Sequence, residues 1–113
     1  FRDVTEHSLE KGVRGRRVTA LLKPDADDYF VLKPKHSAFF ATTLDTLLRY
    51  LGARCLILTG IAADVCVFFT ANDAFMRDLK LVVPKDCVAS GSATHTRNAL
   101  AFMERVLRAN TDH

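Results

Sequence analysis

The chain of 113 residues is short of several things, and each shortage excludes something. Cysteine is scarce. Cys55, Cys66 and Cys87 are odd in number and widely spaced, with no C-x-x-C pair. That argues against a disulfide framework and for reduced thiols in a cytoplasmic setting. Long apolar runs are missing, so no membrane span is expected, and Phe1 opens no secretory signal pattern. Charge of one sign is missing too. Lys and Arg number 16 against 13 Asp and Glu, and the net charge of +3 is too small to argue for a nucleic-acid partner. No internal repeat, low-complexity stretch or linker divides the chain. What is present is the composition of a globular protein, 49% hydrophobic and 26% charged, long enough for one domain over residues 1–113 with a modest core.

The stretch that organises the rest is residues 55–86. Residues 55–59 are a short apolar run ended by Gly60. Residues 61–64 are a loop of small residues, a helical pattern starts near Val65, and a second apolar run occupies residues 81–83. Helices between short, fully apolar strands imply a parallel sheet covered on both faces. Before this stretch, residues 1–17 are polar, with Lys11, Arg14, Arg16 and Arg17 bunched between glycines in a solvated segment. Val18 to Leu22 is a brief apolar run, and residues 29–32 are expected as a strand that delivers Lys33 at its end. Thr42 or Thr43 caps a helix whose stripe is Leu44, Leu47, Leu48 and Leu51, closed by Gly52. After the central stretch, residues 86–93 are a loop. A last helix, residues 95–108, buries Ala99, Met103, Val106 and Leu107. The count of three short strands and three helices is thin for a doubly wound sheet, and the expectation is an α/β domain that lacks its first strand.

Reactive groups in such sheets lie beyond the carboxyl ends of the strands. Cys66 and Lys33 both fall there. With Asp64 as N-cap, Cys66 is the second residue of its helix, where free N–H groups and the helix dipole favour thiolate. An ammonium nearby adds to that and can stabilise charge on a substrate carbonyl. Each residue alone has a plainer reading: a cysteine after a strand is commonly a small buried apolar side chain, and a lysine there is commonly solvated. Cys55 and Cys87 are read that way. His36 and His95 are too isolated for a metal site.

The residues carry a resemblance as well. LKPKHSAFF, residues 32–40, resembles the K-x-x-x-S-A-F element of the isochorismatase-like cysteine hydrolases. TGIAADVCVFFTANDAF, residues 59–75, resembles that family's nucleophile segment, and VVPKDCVASGSATHTRNALAFM its closing strand, loop and helix. The match runs from about Gly12 to Leu107. It implies a Rossmann-like three-layer α/β/α sandwich with a mostly parallel sheet and an Asp–Lys–Cys triad. By motif position the lysine is Lys33 and the nucleophile Cys66. It also implies a cis peptide at Ile61–Ala62 that aims the Ala62 N–H, with that of Cys66, at a substrate oxyanion. The family's triad Asp lies on a first strand that matches nothing here, and so do the metal-binding Asp and His of its nicotinamidase branch. No cofactor is expected. The implied activity is hydrolysis of a small-molecule amide through a thioester, with vinyl-ether hydrolysis as the alternative. A non-catalytic scaffold that has lost its triad is the competing class. Family members are commonly homo-oligomers, which sets the expectation for partners.

Overall fold

The computed structural model describes residues 2–112, so Phe1 and His113, the ends of the expected domain, lie outside the described residues. The chain divides into two compact units, Phe1–Phe30 and Val31–His113. In the first, α1 is Arg2–Ser8 and α2 is Arg16–Leu21. Val18, Leu21 and Leu22 fall at i, i+3 and i+4, so the brief apolar run becomes a stripe along a helix. α2 has no buried residue, and Leu21 is 85% exposed. The bunched Lys11, Arg14, Arg16 and Arg17 are all exposed.

The second unit holds α3 (Leu44–Tyr50), β1 (Cys55–Ile57), β2 (Gly60–Ile61), a π-helical turn (Ala63–Val67), α4 (Phe68–Phe75), β3 (Lys80–Val82), β4 (Val88–Ala89) and α5 (Ala93–Leu107). Every described strand pair is parallel. β1 lies beside β3 with Leu56 opposite Leu81, and β2 lies beside β4 with Gly60 opposite Val88. Parallel neighbours need a crossover, and the π turn with α4 supplies it between β1 and β3. After α5 the chain returns to the sheet: the Val83 N–H donates to the Asn110 carbonyl at 2.7 Å, and the Asn110 N–H to the Leu81 carbonyl at 2.9 Å.

Local chemistry explains the helix ends. Thr43 occupies the N-cap position of α3, yet the Thr42 hydroxyl accepts the Leu44 N–H at 3.2 Å. Gly52, at φ 64°, follows that helix in the left-handed conformation glycine tolerates. The Ser92 hydroxyl caps α5 by accepting the His95 N–H at 3.1 Å. Ala63, Val67, Ala71 and Ala74 put one small-residue face of the π turn and α4 into the core, against Leu81, Val83, Val88, Ala99, Met103 and Leu107. Among the described residues no helix is long and apolar enough to cross a membrane.

Several expectations are corrected. Residues 29–32 form no strand, because an extended apolar sequence becomes one only through a ladder to a neighbour. Val106 is 38% exposed, off the stripe of Ala99, Met103 and Leu107. Cys55 and Cys87 are exposed rather than buried. Cys55 shares the uncovered face of β1 with Ile57, which is 69% exposed, so that strand is covered on one face only. The loop after Asp86 also contains β4, too short to leave a periodic signal.

Candidate active site

The site forms where β1 ends and the helical segment begins. Gly60, at φ 109°, turns the chain in a conformation that side chains disfavour, and the Ile61–Ala62 peptide is cis, as expected. The helix starts earlier than expected. Ala62 is its N-cap, and Ala63–Val67 form a π turn whose Val67 N–H donates to the Ala62 carbonyl at 3.1 Å. Asp64 is therefore not the cap but lies inside the first turn, and Cys66 is the fourth residue of that turn. The small side chains of Ala62 and Ala63 permit the tight entry, which a capping Asp would not by itself predict. Cys66 still lies in the first helical turn, where backbone N–H groups outnumber acceptors.

The structure brings Lys33 and Cys66 together. The Lys33 ammonium lies 3.4 Å from the Cys66 sulfur and donates to the Lys35 carbonyl at 3.1 Å. An ammonium at that distance stabilises negative charge on sulfur. The two line a cavity of about 210 Å³ with Ala38, Leu58, Thr59, Ile61, Val67 and Thr70. Cys66 is half-buried, so the sulfur is reachable. Ile61 faces the cavity with its side chain largely exposed. Among the described residues no carboxylate forms an ion pair with Lys33. Nor do the described residues include a group of three or more His, Cys, Asp or Glu side chains that could hold a metal ion.

Residues that sequence reasoning missed hold the two halves of this site. The Ala38 N–H donates to Thr70 Oγ1 at 3.0 Å, and the Ser37 hydroxyl donates to the Asp73 carboxylate. Arg77 lies 4.4 Å from the centre of the Phe39 ring and donates to Asp45 at 3.1 Å. The signal for Thr70 was legible: it is four residues after Cys66, hence on the same helix face. On the other flank, the Asp64 N–H donates to the Ser90 hydroxyl at 3.2 Å, and the Asp64 carboxylate faces His95 at 3.6 Å. The Ser90 hydroxyl, then its own backbone N–H and the His95 ring, hold the Asp64 carboxyl below its ordinary value against partial desolvation. Among the aromatics near the site, Phe39 is buried in the core, while Phe40 and Phe69 are exposed. His36 packs on Phe69 with ring centres 5.6 Å apart.

The family model described as the isochorismatase domain matches residues 1–112. The uncharacterized isochorismatase family protein YaaI of Bacillus subtilis is 50% identical over 96 residues, which are 85% of this chain and 53% of that protein. Ureidoacrylate amidohydrolase RutB of Methylorubrum extorquens is 35% identical over 106 residues, 94% of this chain and 40% of that one. The crystal structure of the nicotinamidase SaPncA from Staphylococcus aureus superposes with a TM-score of 0.77 at 29% identity, covering 88% of this chain and 63% of that one. The chain spans about half, or less, of the length of these curated relatives.

Proposed function

The chain belongs to the isochorismatase family, and from that premise we propose that it carries the nucleophile and the lysine of a hydrolase that cleaves a C–N bond of a small amide. The observation that carries the reading is the 3.4 Å contact between the Lys33 ammonium and the Cys66 sulfur at the wall of a cavity. Two of the similar proteins bear amidase names, the ureidoacrylate amidohydrolase and the nicotinamidase.

In this reading Lys33 holds Cys66 as thiolate. The sulfur attacks the amide carbonyl carbon, and the carbonyl oxygen takes the negative charge. The N–H groups of Ala62 and Cys66 receive that oxyanion. Collapse breaks the C–N bond, the leaving nitrogen takes a proton, and a thioester remains on Cys66. Water then attacks the thioester, releases the carboxylic acid and returns the thiolate. The proton to the leaving nitrogen needs an acid–base group. No carboxylate pairs with Lys33 among the described residues, and no residue of this chain is given that role. Help of that kind is worth roughly 10²- to 10⁴-fold in rate. Assembly as a homo-oligomer belongs to the same proposal.

Cys66→Ala in the whole protein tests the chemistry, with nicotinamide and ureidoacrylate in the substrate panel. Loss of all hydrolysis in a variant that keeps its circular dichroism and melting temperature supports the covalent route. Full hydrolysis by a folded Cys66→Ala protein removes that route and turns the reading to vinyl-ether substrates, for which the thiol is dispensable.

A further inference from the structure

The helix that carries the sulfur also holds the loop that carries the ammonium. Thr70 stands four residues after Cys66, is buried, and lines the same cavity. Its Oγ1 accepts the Ala38 N–H at 3.0 Å. Three residues further along α4, Asp73 accepts from the Ser37 hydroxyl, and that buried hydroxyl accepts the Phe39 N–H at 3.1 Å. The ammonium itself donates to the Lys35 carbonyl, so its place follows the path of the loop.

A lysine has a flexible four-carbon stem, and Lys33 sits on an exposed stretch of irregular backbone. Left to itself such an ammonium samples a wide volume. A 3.4 Å contact with one sulfur requires the backbone of residues 33–39 to be fixed relative to the turn that bears Cys66. The hydrogen bonds described between them are those of Thr70 and Asp73, both on the helix that continues that turn, beside ring contacts of His36 with Phe69 and of Phe39 with Arg77. We infer that Thr70, backed by Asp73, is a positioning residue that keeps the Lys33 ammonium against the Cys66 sulfur. The inference rests on Lys33 and Cys66 being the working pair and adds to it a side chain with a different task.

The test reads the ammonium through the sulfur. In the whole protein, Cys66 is alkylated separately with iodoacetate and with iodoacetamide, and the modified peptides are quantified by mass spectrometry. Both reagents attack the same thiolate, so the ratio of their rates cancels general access and the thiolate fraction. It reports whether a cation stands by the sulfur to attract the anionic reagent. One held charge about 4 Å away in water is worth about fivefold in that ratio. Lys33→Met sets the baseline without the cation. Wild type and Thr70→Ser, which keeps the hydroxyl, are expected to lie about fivefold above it. Thr70→Val, which keeps the shape and loses the acceptor, is expected to fall to the baseline. If Thr70→Val does not fold, Asp73→Ala, which cuts the second tie at a half-exposed position, carries the same expected loss. A Thr70→Val ratio equal to wild type, with Lys33→Met low, overturns the positioning role alone. A Lys33→Met ratio equal to wild type overturns the pair on which it rests.

Discussion

The two units of this chain use similar residues to different ends. In Phe1–Phe30, Val18 and Leu21 on α2, with Leu22 at its C-cap, make an apolar stripe, and α2 has no buried residue. In Val31–His113, the stripe Ala99, Met103 and Leu107 on α5 is buried, with Met103 at 0% exposure. Periodicity places side chains on one face of a helix in both cases. Among the described residues, only in the second does the unit itself supply the opposing surfaces, from α4, β3 and β4. The polar ties follow the same division. The hydroxyls of Ser8 and Thr19 return to the carbonyls of their own helical turns, whereas those of Ser37, Thr70 and Ser90 join segments 26 to 36 residues apart. Every residue assigned to the chemistry lies in the second unit. A site that must hold an ammonium at a sulfur needs long-range ties, and that is where they are.

The largest expected contrast is in the cores. Met103→Ala opens a cavity and is expected to destabilise the protein by about 2 to 5 kcal/mol. Leu21→Ala is expected to change stability by no more than about 0.5 kcal/mol. Urea midpoints at constant slope measure both, and equal shifts would erase the distinction between the units. Next come the hydroxyls. Ser37→Ala leaves the Phe39 N–H and the Asp73 carboxylate without their bonds, at a cost of about 1 to 3 kcal/mol, while Thr19→Ala at an exposed turn is expected to be silent in the same titration. Smaller again, Ser92→Ala removes the α5 cap and is expected to cost about 1 kcal/mol, seen as a lower melting temperature. The smallest effect is in pH. The Asp64 carboxyl is held low by Ser90, so its contribution is fully present above the ordinary carboxylate range and fades as pH falls through the depressed value. Asp64→Asn is therefore expected to make the acid loss of stability shallower in a melting series, and an unchanged acid limb would show that the Ser90 contact contributes nothing to folding.

How much of this was legible in the sequence differs by residue. Lys33 and Cys66 could be found because the motifs fix their positions by spacing, even though no strand forms before Lys33, and the structure sets them 3.4 Å apart. The apolar runs at residues 55–59 and 81–83 revealed β1 and β3, since short apolar strands bounded by turn residues leave a local signal. The helix start was misplaced because Asp64 is a good cap by type, and nothing local announces a π turn that begins at Ala63. The place of Thr70 on the face of Cys66 was legible from spacing, but the bonds of Thr70 and Asp73 were not, because their partners are 32 and 36 residues distant. The exposure of Cys55 was hidden for a related reason. Which face of a two-sided strand is covered depends on neighbours, and the strand's own letters do not record them. Residues 29–32 have the composition of a strand, but composition cannot supply a ladder.

The central claim is that Cys66, held by Lys33, becomes covalently acylated. The most direct measurement is the mass of the Cys66 peptide after the whole protein is mixed with a turning-over amide and quenched in acid. The account predicts a gain equal to the substrate's acyl group on that peptide, absent from the Cys55 and Cys87 peptides and absent in Cys66→Ala. Steady hydrolysis with an unmodified Cys66 peptide, and an undiminished rate in Cys66→Ala, would contradict it.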